Sequence, residues 1–293
     1  MKIMDSPLFL LLGTGIFLGL VLPLGKIAAE AGIPAVLWAF LVSASAGTIL
    51  WSGLLLSKKR IGFSGGRLRY YLVTAFISYA LPNLLMLSAI PRLGAGYTGI
   101  MYTLSPVLTL LISVGFGLQR PNRLGVAGIV VGFVGAIMVA FTRGEVGKPA
   151  EPLWIAAALL LPLLLAIGNV YRTIDWPKDA DPTELAAGSH LVAALMILAG
   201  VLLFSAEFPI YKLADIPAVT IAQAISSAGM FALFFRLQVV GGPIYLSQIS
   251  YVAAALGLLS GIMFLGESYP PMTLAGAGFI AVGVGMTTRA QRG

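Results

Sequence analysis

Ten stretches of this sequence contain no Asp, Glu, Lys or Arg, and each is 18 to 30 residues long. A bilayer core of about 30 Å is crossed by about 20 apolar residues in a helix, because backbone polar groups cannot stay unpaired in hydrocarbon. The sequence therefore predicts ten transmembrane helices joined by short connections. The stretches are residues 8–25, 34–56, 70–90, 93–118, 124–142, 152–171, 185–206, 216–235, 237–266 and 268–288.

The composition favours an all-α integral membrane protein. Of the 293 residues, 59% are hydrophobic and only 10% are charged, whereas soluble domains carry about 25% charged residues. The sequence has no Cys and one His, which excludes a thiolate or multi-histidine metal centre. It shows no phosphate-binding glycine loop and no nucleophile triad, so we expect no metal, no cofactor and no enzymatic activity.

The basic residues are unevenly distributed between the two sides of the predicted helices. With the N-terminus inside, 13 of the 18 Lys and Arg lie on the cytoplasmic side, among them Arg172 and Arg236. Because positively charged loops stay in the cytoplasm, both termini are predicted to be cytoplasmic, and the basic balance needs no nucleic-acid partner. Lys26 falls on the outer side, where we expect it to snorkel to the surface; the alternative is that it attracts a carboxylate at the mouth.

The first apolar stretch has two interpretations. A basic residue, an apolar run and small residues after it also fit a cleavable signal peptide. The run of 18 residues exceeds the core of a signal, which is about 7 to 15 residues, so we favour a retained helix.

An internal repeat relates the two halves of the chain. A shift of 148 residues aligns ten identical pairs within residues 94–143, the first being Gly94 with Gly242. The shift places five predicted helices in each half, residues 1–148 and 149–293. Because five is odd, the second half enters the membrane in the opposite direction. Inverted repeats of this kind build many secondary transporters, with the substrate site near the midplane.

Several motifs resemble the EamA family of the drug/metabolite transporter superfamily. They are Ser105-Pro106, Leu265-Gly266-Glu267, Gly276 and Gly283. Residues 76–79, Phe-Ile-Ser-Tyr, are similar to the YddG-type exporters of aromatic amino acids. The resemblance implies a basket of helices around a central cavity that exports amino acids, aromatic or otherwise neutral, and related amphiphiles. It also implies a multi-pass protein in the inner (plasma) membrane of a bacterium.

Polar side chains inside the predicted helices are candidates for substrate binding, because they are costly in hydrocarbon unless they face partners or water. Polar residues three or four positions apart share a helix face on four of the predicted helices. These candidates are Tyr79, Asn83, Tyr102, Ser105, Gln223, Ser227, Gln248 and Tyr251. The alternative for Ser and Thr hydroxyls, including those of Thr98 and Thr109, is a hydrogen bond to the preceding turn or a role in helix packing.

Five further residues are predicted to have gating or structural roles. They are Pro82, Pro106, Asn169, His190 and Glu267. His190 is a candidate proton switch, but its shallow position favours a structural hydrogen bond to Asn169 or to backbone. Glu267 precedes the tenth helix, where a carboxylate complements the positive helix terminus. The frequent glycines serve tight helix packing or dimerisation, so we expect a monomer or a homodimer.

These features favour a secondary transporter that exports a small molecule across the lipid bilayer by alternating access. The alternative is a non-transport membrane scaffold or enzyme subunit on the same ten-helix fold. An enzyme would cluster acid, base or metal-binding groups at one depth, and the sequence has no such cluster. The residues leave the exact substrate, the coupling ion and the direction of transport open.

Overall fold

The computed structural model describes residues 6–59, 61–118, 122–142 and 151–290. A π-helix, Ala75–Ala80, joins α3 to α4, and a short 3-10 helix, Ile210–Ala214, precedes α10. The predicted boundary between the two halves, at residues 148 and 149, lies outside the described residues. The α-helices are α1 Pro7–Glu30, α2 Ala35–Leu56, α3 Gly65–Thr74, α4 Leu81–Leu93, α5 Ala95–Tyr102, α6 Ser105–Gly115, α7 Arg123–Phe141, α8 Pro152–Ile174, α9 Pro182–Phe204, α10 Pro217–Ser247, α11 Ile249–Phe264 and α12 Pro271–Ala290.

Within the described ranges, seven helical segments are long and apolar enough to cross a membrane. Three shorter apolar helices accompany them, Arg123–Val139, Ile249–Phe264 and Pro271–Gly283. Every other regular element in these ranges is also helical. The prediction of an all-helical protein with several membrane-spanning helices is therefore confirmed. The seven segments are Pro7–Glu30, Ala35–Leu56, Gly65–Leu93, Ala95–Gly115, Pro152–Ile174, Pro182–Phe204 and Pro217–Ile244.

The chain from α3 to α6 is interrupted at points marked by Pro or Gly. Pro82 has no N–H to donate to the carbonyl of Ser78, and the π-helix lies immediately before this position. Gly94 ends α4 with φ 88° and ψ 156°, a conformation that only glycine adopts without strain. All residues of the following helix, α5, are buried. Interrupted backbone is tolerated at membrane depth only where protein or a cavity surrounds it, so this segment belongs to the interior.

The helix in the second half that contains Arg236 continues beyond the predicted boundary. The prediction that Arg236 separates the eighth and ninth spans is wrong, since α10 continues through this residue and is broken only at Gly242, where φ is 69°. Arg236 lies on an exposed position of the helix, so its charge does not end the helix. Gly242 is the residue that the 148-residue shift aligns with Gly94, and both hold a positive φ.

Helices from the two halves pack against each other in pairs. Helix α2 packs along α9, α5 against α11, and α7 along α12, while α1 packs against α10 and α4 against α8. Glycines allow the close approach of α7 and α12. A Cβ on Gly135 would lie 2.6 Å from the carbonyl oxygen of Gly276, and a Cβ on Gly283 would lie 2.5 Å from the carbonyl oxygen of Gly128 on α7. These glycines therefore serve intramolecular helix packing.

Polar contacts tie the halves together at both ends of α2, which is about 33 Å long. Beyond its C-terminus, Lys59 pairs with Asp181 at 2.6 Å, Arg67 with Glu184 at 3.0 Å, and Arg69 with Asp175. Before its N-terminus, Lys26 pairs with Glu267 at 2.6 Å. We name these two groups the Lys59 end and the Glu267 end.

Candidate functional site

A cavity lies between the two halves, and helices α1, α4, α6, α8, α10 and α11 contribute to its wall together with the π-helix and α5. Its volume is about 60 Å³, which holds a few water molecules and is well below the about 300 Å³ of ordinary ligand pockets. A substrate of amino-acid size therefore requires the cavity to widen. The lining residues are Leu18, Ser78, Tyr79, Pro82, Asn83, Tyr102, Ser105, Leu165, Asn169, Arg172, Met230, Phe231, Phe234, Ser247, Ile249 and Ser250.

Four of the eight candidate binding residues line this cavity. Tyr79 and Asn83 enter from the π-helix and α4, one turn apart, and Tyr102 and Ser105 enter from either side of the break between α5 and α6. The Tyr79 hydroxyl and the Asn83 amide nitrogen are buried and have no hydrogen-bond partner among the residues that the structure describes. The Tyr102 hydroxyl donates to Met86 Sδ at 2.7 Å, a weak acceptor. The wall thus presents polar groups whose hydrogen-bonding capacity is largely unused.

The other four candidates do not line the cavity. Gln223 donates to Ser227 Oγ at 2.9 Å inside α10, and both side chains are fully buried. Gln248 is 6% exposed and lies between two lining residues, at the break between α10 and α11. The Tyr251 hydroxyl is buried without a partner on α11. The break before α11 changes the helix register, so the face predicted for an unbroken span is not the face that meets the cavity.

Arg172 lines the cavity, although the sequence predicts it in a cytoplasmic connection. The structure places it in the last turn of α8, where it is 1% exposed. It donates to Asn169 Oδ1 at 2.6 Å, to Gln238 Oε1 at 3.4 Å and to Ser78 Oγ. A charge at the end of an apolar run can point to solvent or inward, and the sequence signal that indicates inward is Asn169, which lies one turn earlier on the same face.

Gly168 allows Arg172 to reach the first half of the chain. A Cβ on Gly168 would overlap Ser78 Oγ and would lie 3.1 Å from Arg172 Nη1. The side chain of Ser78 belongs to the π-helix, so the bulge and the glycine together bring the serine hydroxyl to the guanidinium. A π-bulge at a functional site is a recurring use of this element.

The predicted hydrogen bond between His190 and Asn169 is absent from the structure. His190 is fully buried, and neither ring nitrogen has a hydrogen-bond partner within the described ranges. Its ring stacks on Tyr79 with centroids 4.0 Å apart and contacts Phe231 at 3.7 Å. The side chain of Asn169 instead bonds Arg172 and, at 3.4 Å, Thr109 Oγ1. His190 therefore supports the aromatic wall of the cavity from behind.

The Glu267 end is a polar cluster in which both ionic partners are buried. Glu267 accepts from the backbone N–H groups of Ala95 at 2.8 Å and Gly96 at 3.1 Å, and from the Tyr269 hydroxyl. Burial raises the pKa of its carboxyl, but the Lys26, Tyr269 and amide hydrogen bonds outweigh it and hold the pKa below its usual range. The expectation that Lys26 snorkels is wrong, because Lys26 is 7% exposed and pairs with Glu267. Glu267 thus caps α5, a helix remote in sequence, and among the described residues it accepts no hydrogen bond from a backbone N–H of the tenth predicted helix, which it was expected to cap.

The first half of the chain, helices α1 to α7, matches a known family. Residues 5–141 match the EamA-like transporter family. This EamA-like region contains the π-helix, the break at Gly94 and the Ser105-Pro106 pair. Residues 5–141 thus match a transporter family, and this match and the long apolar helices support a multi-pass membrane protein.

Two further comparisons extend beyond this region. A crystal structure of a protein with 19% sequence identity has a TM-score of 0.64 and covers 95% of this chain and 98% of its own chain, which shows a shared fold. The NAD(P)H-quinone oxidoreductase chain 5 of Synechocystis sp. is 26% identical over an alignment of 229 residues, and this alignment covers 66% of this chain. The match covers 32% of that protein, so the chain spans about a third of the length of this relative.

Proposed function

We propose that the protein is a secondary transporter that exports amino acids and related small amphiphilic metabolites by alternating access. Its substrate site is the central cavity between two inverted five-helix repeats, residues 1–148 and 149–293. The observation that carries the proposal is that both halves contribute to the wall of one small cavity. A site between two similar halves is exposed to either side when the halves rock against each other.

The residues that line the cavity support the proposed repeat. Three pairs of positions related by the 148-residue shift line the cavity. Two are neighbouring pairs on α4 and α10, and the third lies on α5 and α11. These pairs are Pro82 with Met230, Asn83 with Phe231, and Tyr102 with Ser250.

The helix packing supports the inverted arrangement of ten spans. If a twofold axis exchanges the two halves, contacts between them are of two kinds. In the first kind, a helix contacts the helix at the equivalent position of the other half. In the second kind, the axis turns one contact between two different helices into another contact between their equivalents. The contacts of α2 with α9, α5 with α11 and α7 with α12 are of the first kind. The contacts of α1 with α10 and of α4 with α8 exchange with each other, which is the second kind.

The ion pairs support the proposed orientation, with both termini in the cytoplasm and the protein in the inner membrane of a bacterium. All contacts at the Lys59 end join connections that the positive-inside rule assigns to the cytoplasm. Lys26, Lys212 and Glu267 belong to the connections assigned to the outside, and Lys212 donates to the carbonyl of Gly32 at 3.0 Å.

We assign binding of the substrate to Tyr79, Asn83, Tyr102 and Ser105, which already line the cavity. Gln248 and Tyr251 adjoin lining residues, and the Gln223–Ser227 pair lies on α10 with Met230, so we propose that they join the site when it widens. Pro82 and Pro106 loosen the helices that must move, and we assign them to gating.

Uptake of a panel of labelled amino acids into liposomes that contain the purified protein tests the proposal. We expect Tyr79→Phe and Asn83→Ala to reduce transport while expression and detergent stability stay nearly unchanged, because they remove polar groups from an unfilled cavity. Thr48→Ala is the matched control, since Thr48 is exposed on α2 and bonds only its own helix. Normal transport by both cavity variants would contradict the assignment.

The match to a chain of NAD(P)H-quinone oxidoreductase favours a second candidate, a membrane subunit of a larger assembly that does not itself transport. Purification from the native membrane in a mild detergent distinguishes the two. A stoichiometric complex together with no uptake of any panel member would favour the subunit, whereas uptake by the purified chain alone would exclude it as the sole function.

A further inference from the structure

Arg172 is a buried cation in the wall of the proposed substrate cavity. It is 1% exposed and lines the cavity from α8. Burying a charge is costly unless opposite charge or several hydrogen bonds compensate it. The surroundings of this guanidinium therefore indicate what kind of ligand the cavity accepts.

The hydrogen-bond partners of Arg172 within the described residues are neutral. They are the side-chain oxygens of Ser78, Asn169 and Gln238, and no carboxylate in these ranges lies within ion-pair distance of the guanidinium. A guanidinium has five N–H donors. Three are used, one on each nitrogen, so each of the two terminal nitrogens keeps one N–H. This is the fork that binds a carboxylate through two parallel hydrogen bonds.

Other unused donors face the same space. The Tyr79 hydroxyl and the Asn83 amide nitrogen have no hydrogen-bond partner in the described part of the chain, and both residues line the cavity. The lining contains no Asp or Glu among the described residues. The cavity thus holds one positive charge and several donors without an opposing negative charge, which favours an anion and offers no counter-charge for an ammonium group.

Much of the rest of the cavity wall is apolar and aromatic. Phe231 packs edge-to-face with Tyr79 at 5.1 Å, and the ring of Phe234 lies 4.8 Å from the guanidinium carbon. Leu165 and Met230 complete this surface. A ligand that matches both parts of the wall has a carboxylate at one end and an apolar body at the other.

We propose that Arg172 binds the carboxylate of the transported substrate, so that the cavity selects small apolar or aromatic carboxylates and does not require an ammonium group. This inference rests on the proposed function for the same cavity and names the group that the cavity recognises. An amino acid is accepted through its carboxylate, and its desamino analogue is accepted equally or better.

Binding of four related compounds to the purified wild-type protein tests the inference. Phenylpropionate has the carboxylate alone, phenylalanine has both charges, phenethylamine has the ammonium alone, and phenylpropionamide is the neutral analogue of the acid. Isothermal titration should show the two carboxylates binding about ten- to a hundredfold more tightly than the amine and the amide, because hydrogen bonds to charged groups are the strong ones. Equal binding of the amine, or no binding of phenylpropionate, would overturn the inference.

Variants of Arg172 locate the effect. Arg172→Gln should lose the preference for the acid over the amide, and Arg172→Lys should keep part of it, because the charge stays but the fork is lost. Arg123→Gln, at the exposed start of α7, is the matched control and should bind like the wild type. If Arg172→Gln fails to fold, binding of the four compounds to the wild-type protein still tests whether the cavity selects a carboxylate. An Arg172→Gln variant that binds phenylpropionate like the wild type would overturn the inference.

A parallel transport assay separates this inference from the proposed function. Binding of the acid through Arg172 without any uptake into liposomes would contradict transport and leave the carboxylate site standing. Uptake of the amine as fast as that of the acid would support transport and contradict the carboxylate site.

Discussion

Removal of Lys26 is expected to destabilise the protein strongly, because its partner is a buried carboxylate. The side chains of Lys26 and Glu267 are 9% and 0% exposed. Breaking a buried pair by removing one partner costs about 3–5 kcal/mol. In Lys26→Met the carboxylate keeps its bonds from Ala95, Gly96 and Tyr269, so we expect the lower end, about 3 kcal/mol. This corresponds to roughly a hundredfold change in the unfolding equilibrium.

The assay is equilibrium unfolding in mixed micelles, with Lys26→Met, Glu267→Gln and the double variant forming a cycle. Because the single changes remove the same interaction, the double variant should be more stable than their summed costs predict, by about 1–3 kcal/mol. Lys59→Met is the matched control, since the Lys59 and Asp181 side chains are 56% and 31% exposed, and it should cost less than about 1 kcal/mol. Costs below about 1 kcal/mol for Lys26→Met, or strict additivity in the cycle, would refute the reasoning.

Three further predictions follow from the same contacts and from the proposed orientation. A reporter fused after Gly293 should behave as cytoplasmic and one inserted at Gly147 as external, and finding both on one side would exclude the ten-span arrangement. Acidification should destabilise the wild type as the pH falls below about 4.5. The pKa of Glu267 is lower in the folded state than in the unfolded state, so its carboxylate contributes fully to stability only at a pH above the unfolded-state pKa. Glu267→Gln should lose that part of the pH dependence. Gly94→Ala should cost about 1–2 kcal/mol or more, since φ is 88° and the new Cβ would lie 2.7 Å from the Tyr269 hydroxyl, whereas Gly53→Ala, which meets no atom within 4 Å, should be nearly neutral. Unchanged stability of Gly94→Ala in a thermal melt would show that the Glu267 end is not rigid.

The positions of the membrane helices were predictable because hydrocarbon imposes a length and forbids unpaired polar groups. The same rule explains the error at Arg236. The absence of charge marks a span well, but the presence of one exposed arginine does not end a helix, and the true break depends on the backbone conformation of Gly242. The sequence shift that paired Gly242 with Gly94 contained this information.

The candidate site was predictable where a helix is regular and unpredictable where the backbone breaks. Tyr79 and Asn83 are one turn apart, and both reach the cavity. Gln248 and Tyr251 were placed on one face of a continuous helix, but the chain turns at Gln248 before α11 begins. Arg172 was missed because loop charges and inward-facing charges look alike at the end of an apolar run. Asn169 is the one local signal for the inward orientation, and the contacts of Arg172 with Ser78 and Gln238, which lie 94 and 66 residues away in the sequence, establish it.

The two ends of the molecule differ in what must be broken to open the cavity. In the alternating-access cycle that we propose, each end opens in turn, and all the ion pairs at both ends join one half to the other. At the Lys59 end, two of the three cations are more than half exposed, Lys59 at 56% and Arg69 at 67%, so water replaces their partners at little cost. At the Glu267 end the pair is buried and also caps α5, so its separation leaves charges in a dry site. The empty protein should therefore open more readily at the Lys59 end, which is the side from which an exporter takes its substrate.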